Sequence, residues 1–164
     1  MARIAFIDIE ASGLGSASYP IEIAWALSTG GPPVDMLIRP EPDWTYWEKT
    51  AESLHGIPRE RLMAEGLPVP DVVARMRTAL DGIPLYAEHA EDHGWLRRLL
   101  EAAGTDWTPA LHTARPLLEA QAARNFRDLS ALRWEINRRI PIAHRAGADA
   151  QRLRDLYRAA SRRT

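Results

Sequence analysis

Asp8 and Glu10 stand two residues apart in the run IAFIDIEASGL (4–14), whose apolar residues otherwise suit a buried strand. Positions i and i+2 of a strand share a face, so the two carboxylates form a pair opposite Ile7 and Ile9. Like charges at that distance repel unless something holds them. A second acidic segment is YAEHAEDHGWL (86–96), where a short strand feeds a helix start carrying Glu88, Glu91 and Asp92. The helix macrodipole favours acids in a first turn, so capping alone also explains them. A third segment, PIAHRAGADAQRL (141–153), holds His144 and Asp149. Five helical steps turn roughly 500°, about 140° net, so these two converge only if His144 lies on the turn entering the helix.

Each segment taken alone has an ordinary explanation as a strand end, a helix cap or a surface histidine. Together they supply four carboxylates from a strand, a helix start and a late helix, plus one histidine. With no cysteine in the chain, such a set favours hard divalent cations on oxygen ligands, Mg²⁺ or Mn²⁺. Two such ions stabilise the attacking and leaving oxygens of an in-line phosphoryl displacement, which is what phosphodiester hydrolysis requires.

The elements that must position these residues follow from periodicity. Strands are expected at 3–9, at 21–27, where Ile21, Ile23, Trp25 and Leu27 alternate with smaller residues, and at 33–40 after the Gly30-Gly31-Pro32-Pro33 turn. These three read as an antiparallel meander. Helical spacing then takes over at 45–54 and 69–82, followed by a strand at 84–87 and a helix at 91–103. A short strand at 110–114 and helices at 115–122, 127–139 and 144–162 complete the chain. The expected fold class is α/β, a mixed sheet of an antiparallel meander and then parallel strands, flanked by α-helices.

The 164 residues fit one domain, 1–164, with 46% hydrophobic and 26% charged residues, an ordinary globular balance. A formal net charge of −1 excludes a polycation that holds nucleic acid by bulk electrostatics, so any phosphate binding must be local. No cysteine means no disulfide, thiolate metal site or cysteine nucleophile. With no signal-peptide pattern and no apolar run long enough for a bilayer, a cytoplasmic protein without membrane contact is expected.

FIDIEASGL, DHGWL and HRAGADAQRL, in this order and at these separations, resemble the three motifs of the DEDD 3′–5′ exonuclease superfamily, in its branch with a histidine in the last motif. Relatives there include proofreading exonuclease domains, oligoribonuclease and RNase T. The resemblance spans nearly the whole chain, is strongest at His144, Asp149 and Ala150, and extends to LHGIPRERL (54–62). It implies a ribonuclease-H-like fold and a two-metal exonuclease that releases nucleoside 5′-monophosphates from the 3′ end of single-stranded DNA or RNA. In that pattern Asp8, Glu10 and Asp149 bind one Mg²⁺, Asp8 bridges to a second, Asp92 assists, and His144 is the general base. Imidazole suits this role because it titrates near neutral pH. Mn²⁺ is expected to substitute for Mg²⁺, and homodimers occur among such relatives.

The resemblance also implies a nucleotide pocket lined by Ala11, Ser12, Gly13 and Leu14, with His55, Gly56 and Ile57 nearby. The chain departs from the pattern in two places. Ala11 stands where a hydroxyl residue often follows the first Glu, so a contact to the 3′ terminus is either lost or replaced by Ser12. The second motif lacks the usual His-Asn, so Asp92 is chosen as the only Asp there, three residues before Trp95, with Glu88 and Glu91 as rivals. Arg115, Arg124, Arg127, Arg133, Arg138, Arg139 and Arg145 cluster in the C-terminal third and offer phosphate contacts. Trp44, Trp47, Trp95, Trp107 and Trp134 are stacking candidates, Trp47 first among them. Two other function classes share these features: a nucleic-acid-binding module of the same fold with weak or no turnover, and a docking subunit of a polymerase or RNA-processing complex.

Overall fold

The computed structural model describes residues 3–163. Five strands form one sheet in the order β3-β2-β1-β4-β5. β1 (Ala5–Ala11) pairs antiparallel with β2 (Pro20–Leu27), which pairs antiparallel with β3 (Val34–Leu37). On its other side β1 runs parallel to β4 (Leu85–Ala87), and β4 parallel to β5 (Leu111–Thr113). The helices are α1 (Lys49–His55), α2 (Arg59–Glu65), α3 (Val69–Leu80), α4 (Glu91–Ala103), α5 (Ala114–Arg124), α6 (Leu129–Arg139) and α7 (Ala146–Ala160).

The strand period of two divides β1 between two apolar clusters. Ala5, Ile7 and Ile9 join Ile21, Ile23 and Trp25 of β2 under α3 and α4, through Val72, Val73, Met76, Leu80, Leu96 and Leu99. Phe6 points the other way, into a cluster built by α5, α6 and α7 with Leu118, Leu132, Leu153, Leu156 and Tyr157. Asp8 and Glu10 belong to this second face, where Phe6 begins the strand's burial. Burying an isoleucine stabilises by about 1.5–3 kcal/mol, so Ile7 and Ile9 hold β1 in the centre of the sheet despite the acids between and beside them. Ala24 and Ala26 of β2 meet Ala146 and Ala150 of α7 in a seam of small side chains. That seam lets the first turns of α7, and Asp149 with them, lie close on the sheet.

The observed elements follow the expected order with shifted ends. β1 continues to Ala11 and so carries both acids inside its ladder, with an irregularity only between Glu10 and Ala11. The 45–54 helix begins at Lys49 and includes His55. The 144–162 helix begins at Ala146, which leaves His144 on the entering turn. α2 was not expected: RERLMAE buries only Leu62, too little apolar periodicity to reveal a helix. Among the described residues no helix is long and apolar enough to cross a membrane.

Candidate active site

One face of the sheet opens into a cleft of about 610 Å³, with Asp8 and Glu10 of β1, Asp92 of α4 and Asp149 of α7 in its lining. Carboxylate oxygens of Asp8, Glu10 and Asp149 lie within 4.8 Å of one another. Asp92 is buried in the first turn of α4 and accepts a hydrogen bond from the His89 backbone N–H at 3.3 Å. It faces Asp8 closely enough to repel it.

Asp8, Glu10 and Asp92 hold their protons unusually well. Burial, followed by the charges of Asp92, Glu10 and Asp149, raises Asp8 well above the usual carboxylate range, and Arg152 only partly opposes this. Burial, with Asp149, Glu22 and Asp92 adding to it, lifts Glu10 to about 7. Burial also lifts Asp92 to about 7, against hydrogen bonds from the backbone of His89 and Ile9. A carboxylate group so poorly compensated has the donor set and spacing for divalent cations of the hard class.

Three further buried or half-buried acids line or flank the cleft, and each has its own partners. Glu22 lies directly across the β1–β2 ladder from Glu10, an unfavourable pairing of like charges. Arg145 resolves it: its Nε donates to both Glu22 oxygens at 3.0 and 3.1 Å, its Nη2 to Oε1 at 2.6 Å, and the Ala146 backbone N–H donates to Oε2 at 2.9 Å. Arg145 also donates its backbone N–H to Asp149 at 3.3 Å. Glu22 therefore fixes the start of α7 and the turn that carries His144. Glu88 is gripped by Arg133 and by Arg152 Nη2 at 3.0 Å; burial pushes its carboxyl up, but the hydrogen bonds and charges of the two arginines hold it below the usual value. Glu48 accepts the backbone N–H groups of Leu14 and Gly15, both at 3.3 Å. A Cβ on Gly13 would lie 2.5 Å from the Glu48 carboxyl carbon, so any larger residue there displaces the Glu48 side chain from this turn.

The structure brings the motif residues Asp8, Glu10, Asp92, His144 and Asp149 to one cleft. His144 is exposed on its rim with φ of 49°, a left-handed conformation that histidine adopts more readily than most residues. The rivals of Asp92 line the same cleft but differ from it: Glu88 is committed to arginines, and Glu91 is exposed where Asp92 is buried. Of the expected nucleotide pocket, Ala11, Gly13, Leu14 and His55 line the cleft, joined by Leu54 and Ile142. His55 is buried; its Nδ1 accepts the Ile57 backbone N–H at 3.0 Å, and its Nε2 has no partner among the described residues.

Ser12, Gly56 and Ile57 do not line the cleft. Ser12 is fully buried, its Oγ accepting the Tyr19 backbone N–H at 3.1 Å, so it does not replace the hydroxyl missing at Ala11. Gly56 is the left-handed cap of α1 and Ile57 is core. Trp47 is not a free stacking surface, since its Nε1 donates to Glu52 at 2.6 Å and its ring packs against the core. Sequence reasoning missed Glu22, Glu48 and Arg152. For Glu22 the available signal was an acid at the position opposite Glu10 in the meander.

The fold these elements make is the ribonuclease-H-like α/β fold with a mixed five-stranded sheet. It is similar to Escherichia coli exonuclease I solved in complex with a dT13 oligonucleotide, at 17% identity and a TM-score of 0.73, covering 99% of this chain and 42% of that one. It is similar also to a moderately thermophilic exonuclease I from Methylocaldum szegediense, at 18% identity and a TM-score of 0.72, covering 97% of this chain and 41% of that one. The chain thus spans about two fifths of the length of these proteins. At this identity the likeness establishes the fold. No family model matches the sequence, and no curated protein matches it.

Proposed function

We propose that the chain is a single-domain, metal-dependent 3′–5′ exonuclease that hydrolyses the terminal phosphodiester of single-stranded nucleic acid and releases nucleoside 5′-monophosphates. The observation that carries this reading is the convergence of Asp8, Glu10, Asp92 and Asp149 from three separate elements in one cleft, with His144 on the rim. Asp8, Glu10 and Asp149 would hold a divalent ion through carboxylate oxygens, with Asp92 beside Asp8 for a second. When bound, Mg²⁺ or Mn²⁺ supplies positive charge that stabilises the attacking and leaving oxygens.

The protein's own groups do the rest. His144 accepts a proton from the attacking water on a ring nitrogen, held in place through the neighbouring Arg145–Glu22 contacts. The apolar wall of Ala11, Leu14, Leu54 and Ile142 suits the base and sugar of the terminal nucleotide. His55 lines the same cleft, and with Nδ1 accepting from Ile57 its buried Nε2 is the donor end of the ring. The fold's likeness to exonuclease I solved with single-stranded oligonucleotides supports the same substrate class.

A second reading, a nucleic-acid-binding module with little turnover, draws on Arg152. Its Nε donates to Asp149 at 3.3 Å, which puts a fixed cation beside a residue needed for metal. Incubating the protein with 3′- and 5′-labelled single-stranded DNA and RNA in Mg²⁺, Mn²⁺ or EDTA separates the two. Mononucleotides released from the 3′ end with either metal, and none in EDTA, are expected. Binding of the strands with no mononucleotide in any condition favours the module.

A further inference from the structure

On a helix, residues four apart form a line along one face, and the line one residue on lies about 100° round. On α6 the line Arg133–Asn137 faces the cleft. The next line, Trp134–Arg138, faces solvent: Trp134 is 64% exposed, and the Arg138 guanidinium lies over its ring at 4.7 Å. The indole and guanidinium thus present a stacked cation–π pair to solvent. The surroundings are basic. From 114 to 145 the chain carries seven arginines against three acids, although the whole protein has a net charge of −1. Arg133, Arg139 and Arg145 have carboxylate partners, whereas Arg138 pairs with none among the described residues. The chain then runs from α6 through Ile142 and His144, both on the cleft.

We propose that the Trp134–Arg138 face of α6 is a second contact for single-stranded nucleic acid, which stacks a base and binds a phosphate upstream of the terminus held in the cleft. This rests on the exonuclease reading above and adds to it a surface outside the catalytic cleft. Charge complementarity selects the occupant: the face offers a cation and a π surface side by side, and a single strand offers phosphates and unpaired bases along its backbone. A duplex keeps its bases stacked inside and has no base free for the indole.

The test is fluorescence anisotropy with 5′-labelled oligo-dT of 3 and 12 nucleotides, with Ca²⁺ in place of Mg²⁺ to limit turnover. Wild type is expected to bind the 12-mer more tightly than the 3-mer. Trp134→Ala and Arg138→Ala should each weaken the 12-mer by about fivefold or more, leave the 3-mer within twofold, and Trp134→Phe should recover much of the loss. Arg138→Ala should also flatten the salt dependence by roughly one phosphate contact. Unchanged 12-mer affinity in both variants overturns the proposal, as does an equal loss for both lengths. If Trp134→Ala instead splits a wild-type dimer in sedimentation, the face is a self-association surface and the proposal fails. Wild type that binds neither oligonucleotide defeats the exonuclease reading itself; equal wild-type affinity for the two lengths defeats only this one.

Discussion

Two groups of acids sit side by side in this molecule and meet opposite fates. Glu22 and Glu88 are each clamped by guanidinium groups, Glu22 by Arg145 and Glu88 by Arg133 and Arg152. Asp8, Glu10 and Asp92 are also withdrawn from water, and there burial, helped by repulsion from neighbouring acids, dominates and raises their proton affinities. Where the chain supplies its own cations the carboxylates brace the fold. Where it withholds them it leaves a negative cavity that a cation from solution can fill. Arg152 stands on the border, donating to both Glu88 and Asp149.

The sharpest way to break this contrast is to remove a residue from each group. Asp8→Ala and Asp149→Ala should reduce nucleotide release to background in a labelled-oligonucleotide assay while the protein stays folded by circular dichroism. An active Asp8 variant would place the chemistry elsewhere. Glu22→Ala should act first on stability, by about 3 kcal/mol in urea unfolding, because it strands Arg145 and the Ala146 N–H. That is the lower end for a broken buried pair, since Arg145 is a third exposed. His144→Ala should lower turnover by about 10²–10⁴ with metal binding and urea midpoint nearly unchanged, as expected for an exposed general base. Equal activity in the His144 variant would remove it from that role.

A smaller effect separates Asp92 from its neighbour. Asp92→Asn should lower the rate, whereas Glu88→Gln should lower stability more than rate; a dead Glu88→Gln with an active Asp92→Asn would show that Glu88 is the functional acid. Smallest is the pH dependence of the metal-free protein. Glu10 rises from its ordinary 4.5 to about 7 on folding, and Asp92 from 3.8 to about 7. The folded state then binds more protons than the unfolded one between about 4 and 7, and stability falls as pH rises through that window. Melting temperature in EDTA should be higher at pH 5.5 than at pH 8, and Mn²⁺ should reverse the order. Melting temperatures in EDTA that rise over the same range would contradict the acids' assigned proton affinities.

The unclamped acids were legible because their evidence is local. Strand alternation places Asp8 with Glu10, and the His144 to Asp149 spacing needs only a helix that starts after the histidine. The clamped acids were not, because their partners are remote: Arg145 reaches Glu22 across 123 positions of sequence, and Glu88 depends on arginines 45 and 64 positions away. Arg152 reads in sequence as one more solvated residue of a basic helix, and only the close seam of α7 on β2 turns it inward. Ser12 looked available because it follows Ala11 in the strand-to-turn segment. Its hydroxyl is instead consumed by the turn, which no residue type announces. The order of strands and helices was readable from periodicity, whereas α2, resting on one buried leucine, was not.

The contrast between the two groups is tested most directly by titrating Mn²⁺ into the protein at pH 8 and following bound ion by electron paramagnetic resonance. Wild type and Glu88→Gln should take up Mn²⁺ with similar affinity, whereas Asp8→Asn should lose most of that uptake. Equal uptake by wild type and Asp8→Asn would contradict the assignment of the unclamped acids as a metal site.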